Sequence, residues 1–281
     1  MHPIFINLGG LEIHWYGVCI AIAFVLFLLT LRYLARGTGR DMNTISNMMV
    51  ILVISAAIGA RGAYVIEHWS LYADNPMDIF RLDEGGIMFY GGFLCVILAL
   101  CLFAKYHKER TLDFLDWVVT PLPLAHAIGR VGCFLEGCCF GAQCPADSPW
   151  AVVYPKGSHA WYAQVGDGLI GRTDAALPLF PSQLFEAAGN LIIFAILMVT
   201  WRRRKFEGQQ GALYFVLYAI LRYVIETLRS DQRAQVGMFT ISQAISLGIF
   251  AVGVGVLVWR VGFSRHPTRP QSTSTTSADI D

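Results

Sequence analysis

The chain has 281 residues, a mean hydropathy of +0.52 and only 15% charged residues. Ordinary soluble proteins carry about 25% charged residues, so this composition predicts a polytopic membrane protein. A net charge of +1 excludes the broad basic face with which proteins bind nucleic acid. We therefore expect membrane lipids and other membrane-borne molecules as partners, and no nucleic acid.

Seven segments are apolar and long enough, or nearly so, to cross a bilayer as helices of about 20 residues. They cover roughly residues 14–34, 44–66, 87–104, 112–129, 182–200, 211–228 and 238–259. Pro121 and Pro123 lie within the fourth segment, where a spanning helix tolerates a kink. The sequence therefore predicts an all-α polytopic membrane protein, with a seven-helix transmembrane bundle in residues 1–263.

Basic residues follow alternate apolar segments and indicate the side of the membrane on which those ends lie. They come after the first, third, fifth and seventh segments, as Arg32, Arg36, Arg40, Lys105, Lys108, Arg110, Arg202, Arg203, Arg204, Lys205, Arg260, Arg265 and Arg269. Because positive residues concentrate in cytoplasmic loops, we expect the N-terminus outside and the C-terminus inside. The longest loop, roughly residues 130–181, then forms a small head on the outer face. Residues 264–281, rich in Ser, Thr and Pro, are predicted to be a disordered cytoplasmic tail.

The densest chemistry in the chain lies between His126 and Gly141. This stretch has glycines at 129, 132, 137 and 141, which suggest backbone that bends or approaches another group closely. Arg130 supplies a fixed positive charge of the kind that binds phosphate. The stretch has no helix-friendly run, so we expect a loop that carries a buried cation.

Charged side chains inside membrane spans cost about 2.5–3.5 kcal/mol each on insertion scales, so each one needs a reason. Arg222, Glu226 and Arg229 are spaced i, i+4 and i+7, which places them on one stripe of a helix. A structural ion pair between helices and a functional site both stay open for them. Glu186 has a simpler explanation, because a carboxylate in a first helical turn interacts favourably with the helix dipole.

The predicted orientation brings several polar side chains to the outer half of the bundle. Tyr90 is flanked by glycine pairs at the outer start of the third segment, which suggests the approach of a ligand. Tyr16 could equally be an interfacial belt residue, and His126 a satisfied core residue. The candidate site contains Tyr16, Tyr90, His126, Arg130, Glu136, Arg222 and Glu226.

Five motifs in chain order resemble those of a known family. They are Ile13-His14-Trp15-Tyr16-Gly17, the Gly-Gly-x-x-Phe-Tyr-Gly-Gly segment that ends at Gly92, Gly129-Arg130-Val131-Gly132, Pro181-Ser182-Gln183-Leu184-Phe185-Glu186 and Arg222-x-x-x-Glu226. Together they resemble the bacterial prolipoprotein diacylglyceryl transferases along nearly the whole chain. The resemblance implies a seven-helix bundle with a periplasmic head, located in the inner (cytoplasmic) membrane.

The resemblance also implies an activity, the first step of lipoprotein maturation. The diacylglyceryl group of phosphatidylglycerol would be transferred to the lipobox cysteine thiol in the signal-peptide region of a preprolipoprotein, which forms a thioether and releases glycerol phosphate. No cofactor is expected. On this resemblance Arg130 and Arg222 hold the phosphate, and Glu226 orients Arg222. The predicted catalytic residues are Tyr90, Glu136, Arg222 and Glu226, and the predicted phosphatidylglycerol-binding residues are Tyr16, His126, Arg130 and Gly141.

Two departures from the family pattern concern the proton acceptor. The family signature commonly reads Gly-Arg-x-Gly-Asn-Phe-x-Asn-x-Glu-x-x-Gly, whereas this chain has Cys133 and Glu136 at the asparagine positions and Cys138 at the glutamate position. Gly141 is kept. The family often has histidine where Tyr90 stands, and a tyrosine of pKa about 10 is a poor general base at neutral pH. We therefore expect Glu136 to supply the displaced carboxylate.

Four cysteines, at positions 133, 138, 139 and 144, lie close together in the sequence. Their Cys-x4-Cys-Cys-x4-Cys spacing differs from the usual two-residue zinc spacings, so no metal is predicted. The favoured interpretations are an outer-face disulfide and free thiols.

Two other functions are compatible with parts of the sequence. The altered signature would suit a non-catalytic relative that binds phospholipid or lipoprotein precursors. Buried charges and broken helices also occur in transporters. No internal repeat is visible and the chain has a single large outer loop, and both features count against a transporter.

Overall fold

The computed structural model describes residues 3–9, 11–36, 38, 40–73, 75–81, 85–229, 235–236 and 239–263. Its α-helices are α1 (Trp15–Ala35), α2 (Met42–Glu67), α3 (Phe89–Tyr106), α4 (Thr111–Val119), α5 (Leu122–Glu136), α6 (His159–Gly166), α7 (Ser182–Trp201), α8 (Gln209–Thr227) and α9 (Ile241–Phe263). Two antiparallel hairpins pair β1 (Ile4–Leu8) with β2 (Leu11–His14) and β3 (Gln235–Val236) with β4 (Phe239–Thr240). The tail predicted for residues 264–281 lies outside the described residues.

Five of the described helical segments are long and apolar enough to cross a membrane. They are Trp15–Ala35, Asn43–Glu67, Thr111–Glu136, Ser182–Trp201 and Ile241–Arg260. This finding confirms an all-α polytopic membrane protein. The third and sixth predicted spans are not among the five, since Tyr90–Tyr106 is a shorter apolar helix and α8 carries Arg222 and Glu226 among its apolar residues.

The fourth predicted span consists of two helices. Helix α4 ends at Val119 and α5 begins at Leu122, with Pro121 at the junction. Proline has no amide proton and cannot continue the helical hydrogen bonds, so the helix is interrupted at Pro121, within the segment where the sequence predicted a kink. The core next to this junction contains Trp117, whose indole nitrogen donates to the Leu31 carbonyl at 3.0 Å.

The loop expected from about residue 130 begins at Gly137 instead, because α5 continues to Glu136. Gly132 does not bend the chain. A Cβ atom there would lie 3.0 Å from Cys19 Cβ and 3.3 Å from the Tyr16 ring, so this glycine allows α5 to pack closely against α1. The bend comes at Gly137, whose φ of +74° ends the helix in the left-handed region.

The head after α5 contains α6 and two isolated bridges that pair Gln143 and Val152 with Leu179. Val152 therefore contributes an isolated bridge rather than a strand. The head is tied to the membrane helices by backbone hydrogen bonds. The Gly141 amide donates to the Phe180 carbonyl at 2.9 Å, and the Ala142 amide donates to the Leu228 carbonyl at 2.8 Å. These bonds bring the end of α5, the start of α7 and the end of α8 together.

Candidate active site

An ion pair between α5 and α7 lies at the centre of the site. Arg130 Nη2 is 3.1 Å from Glu186 Oε1, and the Glu186 side chain is only 1% exposed. Arg130 Nε donates to His126 Nε2 at 3.3 Å. A guanidinium can only donate, so His126 Nε2 accepts and carries no proton in this arrangement. His126 is thus neutral, and Glu186 is the counter-ion that allows Arg130 to be charged inside the bundle.

Two tyrosines of α8 line the same region. The rings of His126 and Tyr218 have their centroids 5.5 Å apart, and Tyr218 stacks on Tyr214 at the same centroid distance. Tyr90, in the first turn of α3, is close enough to Tyr218 for the two hydroxyl groups to interact electrostatically, and 59% of Tyr90 is exposed. The aromatic side chains therefore connect α3, α5 and α8 around the Arg130 ion pair.

A second ion pair lies in the last two turns of α8. Arg222 Nη2 is 2.9 Å from Glu226 Oε2, so the predicted i, i+4 pair forms within one helix rather than between two. Thr240 Oγ1 donates to Glu226 at 3.1 Å, and Arg222 Nη2 is 3.4 Å from Ser242 Oγ. Within the described residues the buried Nη1 atom of Arg222 has no hydrogen-bond partner. That unused donor is available to an anion.

A cavity of about 220 Å³ lies where α1 begins and α5 ends and is lined by His14, Tyr16, Glu136 and Cys138. Glu136 accepts a hydrogen bond from His14 Nδ1 at 3.1 Å. The ring of His159, from the head, is 3.9 Å from the same carboxylate. Glu136 is therefore a carboxylate with histidines on two sides and open access to the cavity.

Three of the predicted cysteines meet beside this cavity. The sulfur atoms of Cys133, Cys138 and Cys139 all lie within 4.8 Å of one another, whereas Cys144 is buried elsewhere in the head. All three are free thiols in the structure. Hydrogen bonds from Cys133 and Cys138 lower the pKa of the Cys139 thiol, and hydrogen bonds to Cys133 and Cys139 together with burial raise the pKa of Cys138.

The sequence pattern of the family described as prolipoprotein diacylglyceryl transferase matches residues 3–259. The chain belongs to this family. Among its relatives, the phosphatidylglycerol–prolipoprotein diacylglyceryl transferase 2 of Clostridium perfringens is 32% identical over 90% of this chain and 92% of its own length. The corresponding transferase of Paraburkholderia phytofirmans is 33% identical over 94% of both chains. That of Burkholderia mallei is 32% identical over 92% of this chain and 94% of its own.

Most residues predicted from the family motifs fall into three neighbouring groups. His126 and Arg130 form the first group, Arg222 and Glu226 form the second, and Tyr16 and Glu136, which line the cavity where α1 begins and α5 ends, form the third. Arg130 is close enough to Tyr16 to interact with it electrostatically, which connects the first and third groups.

Gly141 stands apart from these groups. A Cβ atom at this position would lie 2.7 Å from the Phe180 carbonyl oxygen and 2.9 Å from that of Leu228. The glycine therefore permits the close approach of head, α7 and α8, and its effect on the site is to hold these three elements together.

Glu186 and His14 are the site residues that sequence reasoning missed. Both stand inside the motifs that carry the family resemblance, but Glu186 had an explanation as a first-turn carboxylate. A buried arginine in a membrane helix requires a counter-charge. The presence of Arg130 in a membrane helix could therefore have predicted that a carboxylate, such as that of Glu186, lies next to it.

Proposed function

We propose that the chain transfers the diacylglyceryl group of phosphatidylglycerol to the lipobox cysteine of preprolipoproteins. The observation that carries this proposal is the pair of partly buried guanidinium groups, Arg130 and Arg222, each paired with its own buried carboxylate. A phosphodiester headgroup entering between the helices needs two or more fixed donors, and guanidinium groups suit phosphate geometry. The family match over residues 3–259 supplies the reaction class.

In this mechanism Arg222 and Arg130 bind the phosphate of phosphatidylglycerol. The substrate cysteine loses its thiol proton to Glu136, and the resulting thiolate attacks the glycerol carbon that bears the phosphate ester. A sulfur–carbon bond forms and the carbon–oxygen bond breaks, with its electron pair passing to the phosphate oxygen. Positive charge placed in advance at that oxygen stabilises the transition state. Glycerol phosphate leaves, and the diacylglyceryl group remains on the cysteine as a thioether.

The remaining predicted residues shape the binding site. Tyr16 and Tyr90 line the path of the headgroup, and neutral His126 fixes the orientation of Arg130 through its Nε2 atom. Glu226 plays the same part for Arg222, aided by Thr240. Gly141 keeps the head against α7 and α8.

We also propose that the membrane domain, residues 1–263, crosses the inner membrane seven times, with the N-terminus outside and the C-terminus inside. Side-chain and backbone contacts support this topology. His14 at the start of α1 meets Glu136 at the end of α5, so an even number of crossings separates them. The number of crossings between them is four if α3 crosses the membrane in addition to α1, α2 and the α4–α5 pair.

The same reasoning applies to α8. The Ala142 amide, in the segment after α5, donates to the Leu228 carbonyl at the end of α8, so both residues lie on the same side of the membrane. If α7 crosses the membrane, α8 must therefore cross it back. Helices of 18 and 19 residues, as in α3 and α8, are about 27 and about 28.5 Å long at 1.5 Å per residue. That length is close to the ~30 Å hydrocarbon core. Residues 137–181 then form the periplasmic head.

The test is transfer of labelled diacylglyceryl from phosphatidylglycerol to a lipobox peptide by the purified protein. We expect transfer by the wild type and a loss of at least about 100-fold in Arg130→Ala, because a preorganised charge at the leaving oxygen is removed. Arg172→Ala, which removes an arginine from the surface of the head, is the matched control and should retain full activity. Phosphatidylglycerol bound by the wild type without any transfer would contradict the proposal.

A further inference from the structure

The thiol groups of Cys133, Cys138 and Cys139 have the arrangement of a metal-ligand set. Their sulfur atoms all lie within 4.8 Å of one another. In a tetrahedral zinc site with Zn–S bonds of about 2.3 Å, the sulfur atoms are about 3.8 Å apart. A contraction of about 1 Å or less would therefore close the three thiolates around one ion. The sequence spacing concealed this set, because the bend at Gly137 folds Cys138 and Cys139 back towards Cys133.

The positions of these cysteines are fixed by the fold. The Cys138 carbonyl accepts from Gln183 Nε2 at 2.8 Å, and the Cys139 carbonyl accepts from Ser182 Oγ at 3.1 Å. Both donors are only 1% exposed. Cys139 also has a φ of +59°, a conformation that residues other than glycine adopt at a cost and that a well-packed surrounding must hold in place. Metal sites built on such a fixed backbone lose little entropy on binding.

One coordination position would remain open. The cavity of about 220 Å³ reaches Cys138 and is otherwise lined by His14, Tyr16 and Glu136. Three protein ligands with an open fourth position are typical of catalytic rather than structural zinc sites. Arg130 is close enough to Cys133 and Cys139 to offset part of the negative charge of a zinc–thiolate centre.

We propose that Cys133, Cys138 and Cys139 bind one Zn²⁺ ion and that its open position takes the thiol of the substrate cysteine. This inference rests on the proposed transferase function and identifies how the substrate thiol becomes a thiolate. Coordination to zinc deprotonates a thiol at neutral pH. This chain has tyrosine at position 90, where the family often has histidine. Zinc coordination would give it a substrate thiolate without the need for a strong general base.

The reaction balances without any oxidant or reductant. The substrate S–H proton passes to Glu136 as the sulfur binds zinc. The zinc-bound sulfur attacks the glycerol carbon, the S–C bond forms, and the C–O bond breaks with its electron pair on the phosphate oxygen near Arg130. The proton from Glu136 passes through water to the glycerol phosphate. The thioether product, which carries no charge, is a weaker ligand than a thiolate and leaves the metal.

The first test is the zinc content of the full-length protein, purified in detergent under reducing conditions, incubated with zinc chloride and freed of excess metal. We expect one zinc per chain in the wild type. Removing one ligand, as in Cys133→Ser, Cys138→Ser or Cys139→Ser, should weaken binding by about 10-fold or more. Cys101→Ser, which removes a thiol from α3, is the matched control and should bind zinc as the wild type does.

No zinc in the wild type, or equal zinc in all variants, would overturn the proposal. A disulfide joining two of the three cysteines in protein isolated without reductant would overturn it as well.

The second test asks whether the substrate thiol enters the metal site. The Co²⁺-loaded protein should change its visible absorption when a lipobox peptide is added, and should not change with the same peptide carrying serine for cysteine. An identical spectrum with both peptides would overturn the fourth-ligand assignment. Metal-free protein that transfers diacylglyceryl at the wild-type rate would overturn the zinc site and leave the transferase function standing. Cobalt binding and the peptide response in a protein without transfer would support the site and count against the function alone.

Discussion

Glu186 determines whether Arg130 can act as a phosphate ligand. The carboxylate is almost completely buried, and Arg130 and His126 are the cationic or polar side chains that face it from α5. Removing one partner of a buried ion pair leaves an uncompensated charge, which typically costs about 3–5 kcal/mol. The guanidinium would then turn towards whatever water or carbonyl group could satisfy it.

We therefore expect Glu186→Gln to lower the transfer rate by about 100-fold or more, and to lower the thermal unfolding temperature as well. Glu186→Asp, which keeps the charge on a shorter side chain, should restore part of both. The measurement is transfer activity and detergent-solubilised thermal unfolding of the three proteins side by side. If Glu186→Gln kept wild-type activity, Arg130 would not depend on this carboxylate.

Glu136 is the residue for which the family signature offers no direct counterpart. It lies at the cavity, hydrogen-bonded to His14, and the mechanism assigns it the substrate proton. Loss of a proton acceptor typically lowers a rate by 100-fold or more. We expect Glu136→Gln to show this loss in transfer while binding of phosphatidylglycerol is unchanged.

The matched control for Glu136 is Glu12→Gln, which changes an exposed carboxylate on β2 whose partner is Asn7. It should transfer at the wild-type rate. Full transferase activity in Glu136→Gln would exclude the carboxylate as proton acceptor and would leave the zinc-bound thiol to lose its proton directly to water.

For individual residues, the sequence shows which side chains carry charge but does not show which of them are in contact. Arg222 and Glu226 could be paired from their i, i+4 spacing, because both stand on one helix. Arg130 and Glu186 could not, since their contact depends on how α5 packs against α7. The three sulfur atoms were hidden for the same reason, because the distance between Cys133 and Cys138 depends on the backbone at Gly137.

At the scale of helices, small residues decide how closely α2 and α3 approach. A Cβ atom on Gly59 would lie 2.5 Å from both Cys95 Cβ and the Gly91 carbonyl oxygen, whereas one on Gly62 would meet nothing within 4 Å. Both glycines lie in α2, one turn apart. They therefore allow the same substitution to be compared in the same helix, with and without a neighbour.

We expect Gly59→Ala to destabilise the protein by about 1–3 kcal/mol, because the added methyl group forces the two helices apart. Gly62→Ala should be neutral or slightly stabilising, because alanine is the better helix former. Denaturant unfolding in detergent, followed by a helix-sensitive signal, measures the difference. Equal stability of the two variants would mean that α2 and α3 do not pack through Gly59.

Apolar patterning placed all seven predicted spans on helices, but it did not fix where each helix ends. The breaks at Pro121 could be predicted, because proline lacks an amide proton. The continuation of α5 to Glu136 could not, because glycines at 129 and 132 favour a bend in isolation. Close packing of α5 against α1, with Gly132 beside Tyr16, overrides that preference. Tertiary contact therefore decides the conformation of the chain that carries Arg130.

At the scale of the whole molecule, charged contacts gather at the two ends of the bundle. At the end opposite the candidate active site, Arg40 Nη2 is 2.9 Å from Asp113 Oδ2, and Arg204 Nη2 is 2.6 Å from Asp113 Oδ1. These bonds join the start of α2, the start of α4 and the end of α7. These basic residues are among those from which the positive-inside rule predicts the cytoplasmic side, so the proposed topology puts these ion pairs at the cytoplasmic end of the bundle.

The seven-span topology makes a prediction that separates α8 from the five strongest spans. A fluorescent reporter that folds only in the cytoplasm should be bright when fused after Arg203, dark when fused after Leu228 and bright again after Phe263. A periplasmic phosphatase at the same three positions should give the opposite pattern. If α8 did not cross, the reporter after Leu228 would stay bright and the one after Phe263 would be dark. The head and the end of α8 would then lie on opposite sides of the membrane, and the hydrogen bond between Ala142 and Leu228 could not form. The reporter pattern therefore tests, in one series, both the number of crossings and whether the ends of α5 and α8, which carry Arg130 and Arg222, lie on the same side of the membrane.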